Sequence, residues 1–266
     1  MKENALFRIV LCLGLAVAGL PLGAPGAAPF QPEAGSLAET KAKPSAWEFT
    51  PDPALPNVLI LGDSISIGYT LGVRGALAGK ANVYRPMAGK GPANCEGTTA
   101  GVAHLDRWLG SQKWSVIHFN WGLHDLKHVQ TPGISKASEN PADPPQATVE
   151  QYAQNLAQLV AKLKATGAKL VFATTTPVAP GTTKPPREPE APPRYNAAAL
   201  KIVQAEGIRV NDLFAFCAPQ LEKLQIPQNV HFTAEGSSVL AREVARVIAE
   251  ELPAGKANAV SAPKAP

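Results

Sequence analysis

Cysteine is scarce in this chain: three residues in 266, at positions 12, 95 and 217. That count excludes a disulfide-stapled miniprotein, and no spacing among the cysteines and the five histidines resembles a zinc site. Charged residues are also few, at 17%, and the net charge is only +4. The lysines and arginines are scattered, with no basic stripe and no aromatic–basic interleaving, which argues against a nucleic-acid partner. Long hydrophobic runs are missing except at residues 9–22, a stretch short for a membrane span and broken by Pro21. There is no internal repeat.

What is present points to one globular domain with added termini. Hydrophobic residues make up 45% of the chain, enough for a substantial core. Lys2 and Arg8, the apolar segment and the small residues of 23–28 have the order of an export signal. Residues 1–28 are therefore expected to be a signal peptide, the protein secreted or periplasmic, and the mature chain without stable membrane insertion. Cys12 would leave with the signal, and Cys95 and Cys217 are expected to remain as unpaired thiols, one of them buried. Residues 29–55, rich in Pro, Ala, Glu and Lys, are expected to form a linker, with Trp47 and Phe49 placed to fold back. Residues 253–266 are expected to be a disordered tail.

Between them the pattern alternates. Strands are predicted at 57–62, 82–85, 115–121, 168–174 and 208–211, and helices at 67–79, 100–110, 147–166, 193–206, 214–224 and 234–252. Val149, Leu156, Leu159, Val160 and Leu163 share one helix face, as do Leu240, Val244, Val247 and Ile248. Thr233 is placed to cap the last helix and Gly167 to end the long middle one. The alternation predicts an α/β fold: a three-layer α/β/α sandwich over a mainly parallel sheet of about five strands. Two connections, 127–145 and 177–193, are long. Both follow strands at the carboxyl edge of the sheet, where they either wall a cleft or decorate the surface.

Four segments carry the chemistry. Gly62-Asp63-Ser64 follows the strand NVLIL, which puts a hydroxyl at the carboxyl edge of the sheet. Such a serine is a nucleophile if a base lies within reach, and otherwise a helix cap. The Gly/Thr/Asn loop ANCEGTTAG (93–101) offers backbone N–H groups suited to an oxyanion hole, or is an ordinary βα turn. His124, just past a strand, can donate to an oxyanion, act as a base or pack. Asp125 beside it suits capping of local N–H groups better than catalysis. His231 in NVHFTAEG stands just before the last helix, at a position suited to a general base.

Taken in order, these segments resemble the SGNH/GDSL hydrolase superfamily from about residue 56 to 252. GDSISIG resembles its first block and NVHFTAEG its last, while the GTT segment and WGLHDL stand where its glycine and Gly-x-Asn-Asp blocks belong. The resemblance implies a flavodoxin-like SGNH fold, Ser64 as nucleophile and His231 as base. It also implies an oxyanion hole from the Ser64 and Gly97 N–H groups and the His124 side chain. Three departures stand out. His124 replaces the family's asparagine, so its tautomer matters. Gln228 stands where the family places an aspartate, so Gln228, Asn229 or a backbone carbonyl must orient His231. Gly97 is the only glycine near the centre of its block, and Glu96 precedes it. Asp63 and Asp125 are further candidates for support.

The expected function is a secreted serine esterase acting on small acyl esters, with O-acetylated carbohydrate as a candidate substrate, and no metal or organic cofactor. Its oligomeric state is open. The same residues would serve an acyltransferase. A catalytically silent glycan-binding module is the alternative from another class. The missing aspartate and changed asparagine favour that alternative, and the retained Ser64–His231 pair opposes it.

Overall fold

The computed structural model describes residues 45–253 apart from positions 133, 135, 183 and 184. The expected signal peptide, the expected linker up to residue 44 and the expected tail beyond 253 lie outside the described residues. In chain order the elements are β1 (Asn57–Leu61), α1 (Ser64–Ala76), β2 (Asn82–Tyr84), β3 (Met87–Ala88), β4 (Gly91–Pro92), α2 (Thr98–Leu109) and β5 (Val116–Phe119). Then come α3 (Val149–Ala165), β6 (Lys169–Ala173), α4 (Ala191–Ala205), β7 (Arg209–Asn211), α5 (Leu213–Cys217), α6 (Leu221–Leu224) and α7 (Ala234–Glu251).

Five strands form one parallel sheet in the order β2-β1-β5-β6-β7. Apart from His118, which bonds to Asn211, the buried residues of its central strands are apolar on both faces, as helices on both sides require. Val58 pairs with Val83 and Val116, Ile117 with Leu170, and Phe172 with Val210. The chain moves one way from β1 to β2 and the other way from β1 to β5. With right-handed crossovers, that reversal puts helices on opposite faces: α1 packs with α7, and α3 with α2 and α4. The reversal point lies between the carboxyl ends of β1 and β5, where open α/β sheets bind ligands. This is the α/β/α arrangement the sequence predicts.

The differences are local and have local causes. α1 begins at Ser64 rather than 67, because Asp63 caps it. β5 ends at Phe119, where the Asn120 N–H reaches back to the Leu61 carbonyl and the Asn120 amide to that of Ala173. The single helix predicted at 214–224 is α5, a 3-10 turn at Ala218–Gln220 and α6, broken at Pro219, which has no N–H to donate. The β3–β4 hairpin was not expected among its glycines and prolines. Both Cys95 and Cys217 are unpaired and both are buried, where one was expected to be. Residues 45–55 include Phe49, which stacks edge-on against Tyr84 beneath the Arg74 guanidinium.

The start of α7 is positioned by one carbonyl. Leu224 O accepts from both the N–H and the hydroxyl of Thr233, and Thr233 caps α7 through the Gly236 N–H. A Cβ on Gly236 would lie 2.2 Å from the same Leu224 oxygen. Gly236→Ala is therefore expected to destabilise the fold by about 1–3 kcal/mol and to lower activity by shifting the 229–233 loop. Urea unfolding alongside ester-hydrolysis assays checks this, and wild-type stability in the variant would refute the packing argument.

Candidate active site

The site begins where β1 stops. Asp63 is the N-cap of α1 and its carboxylate accepts from the Ile65 N–H at 3.0 Å. Ser64 is thus the first helical residue and its hydroxyl is not spent on capping. Behind it, the buried Arg85 guanidinium donates to the carbonyls of Gly62, Asp63 and Ala93 and to Ser66 Oγ. The Cys95 N–H also donates to the Gly62 carbonyl, at 3.1 Å. These bonds tie the serine turn to the 93–97 loop.

That loop leads into α2, whose N-cap is Gly97. Gly97 has no side chain to cap with, so Asp125 does it from outside. The carboxylate of Asp125 accepts from the Thr98 N–H at 2.9 Å and from the Thr98 hydroxyl. A Cβ on Gly97 would come within 3.1 Å of that carboxyl group. Burial pushes Asp125 up to about 7, against the pull of its Thr98 donors. Burial likewise raises Asp63, opposed by the Ile65 N–H and then by Arg187 and Arg85. Among the described residues, the backbone N–H groups of Ser64 and Gly97 have no hydrogen-bond partner.

His231 comes from the other end of the chain. Its Nε2 lies 2.8 Å from Ser64 Oγ. Its own backbone N–H and its Nδ1 both meet Asn229 Oδ1, at 3.0 and 2.7 Å. A backbone N–H can only donate, which identifies that Asn229 atom as the amide oxygen. The oxygen only accepts, so Nδ1 carries the ring proton and Nε2 is the lone pair facing the serine. Asn229 therefore occupies the orienting position. Gln228 does not: it is exposed, in left-handed conformation (φ 56°), and its side chain makes no bond to His231.

His124, near enough to His231 to be coupled to it electrostatically, is partly buried with its Nδ1 3.1 Å from Lys127 Nζ. Burial, then Lys127, Arg187 and His231, push the His124 imidazole down to about 3, so it is neutral. Arg187, in the 177–193 connection, donates from Nε to the Leu123 carbonyl at 2.9 Å and acts electrostatically on Asp63 and His124. The two long connections also meet where His128 faces Glu188 at 3.9 Å.

The sequence profile of the GDSL-like lipase/acylhydrolase family matches residues 60–239. The chain belongs to that family. Its members are ester hydrolases. A search of curated proteins finds no match. Among solved structures, the chain resembles a lipase/acylhydrolase from Enterococcus faecalis (18% identity, 74% of this chain and 97% of that one, TM-score 0.58). It also resembles the acetyl xylan esterase AlAXEase (12%, 72% and 99%, 0.57) and the acetylxylan esterase Axe2 from Geobacillus stearothermophilus (17%, 73% and 94%, 0.58). At these identities the likeness is one of fold.

In this GDSL-like chain the structure brings Ser64, His231 and Asn229 into one hydrogen-bonded line and sets Gly97, His124, Asp63 and Asp125 around it. Arg85, Lys127 and Arg187 were not singled out from the sequence. Arg85 lies just past a short strand and Arg187 within a proline-rich loop, and neither position carries a chemical signature. Among the described residues, no group of three His, Cys, Asp or Glu side chains is arranged to hold a metal, and no helix is long and apolar enough to cross a membrane.

Asp125 yields a pH dependence of stability. Its folded pKa, about 7, lies above the ordinary 3.8. Between those values the folded chain holds a proton that the unfolded chain has lost. Its contribution is thus complete below pH 3.8 and disappears as pH rises through 7. Wild type is expected to lose stability relative to Asp125→Asn as pH is raised across that window, measured by urea unfolding. A constant difference would show that Asp125 is ionised throughout.

Proposed function

We propose that the protein is an exported serine esterase for short acyl esters, with O-acetyl groups on carbohydrate as the substrate class. Ser64 attacks the ester carbonyl as its proton passes to His231 Nε2. The tetrahedral oxyanion is held by the N–H groups of Ser64 and Gly97 and by His124. Collapse expels the alcohol, which takes the proton back from His231. Water, deprotonated by His231, then releases the acid and restores Ser64.

The observation that carries this reading is the 2.8 Å contact between Ser64 Oγ and a His231 ring whose tautomer Asn229 fixes. A silent binding module has no use for an oriented serine–histidine pair. Asn229 supplies orientation without charge, so the imidazolium formed in the reaction is stabilised less than beside a carboxylate. Short acyl groups are supported by the likeness of the fold to those of two acetyl xylan esterases. A bulky alcohol is supported by exposure, since His231 is open to solvent and Ser64 partly so. Export is supported by the charged, apolar and small-residue order of positions 1–28.

Hydrolysis of p-nitrophenyl acetate is expected to exceed that of the decanoate ester. Ser64→Ala or His231→Ala should cost kcat several powers of ten, up to about 10⁶. Unchanged turnover in Ser64→Ala would sink the proposal. Asn229→Asp is expected to raise kcat about tenfold, the difference between a neutral and a charge-assisted hydrogen bond. It should also move the acid limb of the pH profile to higher pH. Gln228→Asp should do neither, and the reverse result would reassign the orienting residue.

A further inference from the structure

We propose that Lys127 is a positioning residue that sets the tautomer of His124, so that Nε2 carries the ring proton and presents an N–H donor to the oxyanion. The oxyanion part rests on the esterase reading above; the tautomer part does not.

The geometry is the 3.1 Å contact between Lys127 Nζ and His124 Nδ1. An ammonium has three donors and no acceptor, so Nδ1 must offer its lone pair and the proton of the neutral ring must sit on Nε2. Lys127 is 4% exposed, which keeps water from competing strongly for that lone pair. Burial followed by the Arg187 guanidinium lowers the Lys127 pKa, while Glu96, Asp125 and Asp63 raise it.

The backbone fixes the pair. The Leu126 N–H closes a turn on the Gly122 carbonyl at 3.0 Å. Positions 124 and 127 thus stand three residues apart on one side of a helical turn. Arg187 holds the Leu123 carbonyl before His124, and the Gln146 N–H holds the Lys127 carbonyl after it.

The two histidines are then set in opposite senses by opposite partners. The Asn229 oxygen leaves His231 with an Nε2 that accepts, and the Lys127 ammonium leaves His124 with an Nε2 that donates. An asparagine at position 124 would need no such device, because its amide always carries N–H groups. A neutral histidine does need it, because the other tautomer would have no proton on Nε2.

The test has a spectroscopic and a kinetic arm. Ring ¹⁵N–¹H correlation spectra of uniformly labelled protein, with the His124 signals assigned by their loss in His124→Asn, should show the Nε2–H form in wild type. They should show a mixture or the Nδ1–H form in Lys127→Met. With p-nitrophenyl acetate, Lys127→Met should lower kcat about tenfold or more, bounded by the 10²–10³ of a whole oxyanion donor, with KM little changed. In a His124→Asn background the same substitution should change kcat by less than about twofold, because the coupling partner is gone.

An Nδ1–H ring in wild type overturns the proposal, and so does a tautomer unchanged in Lys127→Met. Equal kinetic losses in both backgrounds make Lys127 a structural or substrate-binding residue and overturn it too. If Lys127→Met fails to fold, Lys127→Gln supplies the same comparison, because its amide oxygen can accept from an Nδ1–H ring and remove the constraint on Nε2. A Lys127-dependent Nε2–H ring in a protein that hydrolyses no ester retires the esterase reading and leaves the tautomer assignment standing.

Discussion

The interaction on which the rest depends is the buried Arg85 guanidinium beneath the serine turn. A parallel strand that ends inside a protein leaves carbonyls without ladder partners, and buried carbonyls without donors are costly. Arg85 supplies donors to Gly62, Asp63 and Ala93 at once. One side chain thereby satisfies the end of β1 and locks it to the loop carrying Gly97. Asp63 is then free to cap α1, and the Ser64 hydroxyl is free to face His231. The reactive contact follows from a backbone problem solved behind it.

The electrostatics of the site divide by sign. The buried acids Asp63 and Asp125 are engaged as helix caps, one from the residue just before its helix and one from a neighbouring loop. Neither carboxylate bonds to His231, whose ring is held by a neutral amide. The cations Lys127 and Arg187 act on His124, the side chain proposed to hold the oxyanion. Among the described residues, no charged group is bonded to the His231 proposed as base, and two cations stand beside the His124 proposed as oxyanion donor. That distribution favours transition-state stabilisation through the oxyanion over stabilisation through the imidazolium.

Much of this was legible in the sequence. The strand–turn–helix at 57–79 and the periodic faces of α3 and α7 announced an α/β fold, because one-dimensional periodicity records which face is buried. Ser64 and His231 were legible because their flanking residues form blocks. The orienting residue was not. Family spacing pointed to Gln228, whereas the left-handed backbone there turns its side chain away and brings Asn229 under the ring. A one-residue shift of that kind depends on a loop conformation that carries no periodic signal.

The sequence by itself determined the layer architecture and the serine–histidine pairing. These follow from hydrophobic periodicity and local motif, both encoded in neighbouring residues, whereas the strand order, and with it the switch point between β1 and β5, came from the tertiary structure. The tertiary structure alone decided which proton each histidine carries and which cations surround the site. Those depend on contacts such as Arg187 with the Leu123 carbonyl, 64 residues apart, and on whether a donor or an acceptor meets Nδ1. That choice is made by loops with no pattern of their own, because hydrogen bonding is directional and only the folded backbone sets the direction.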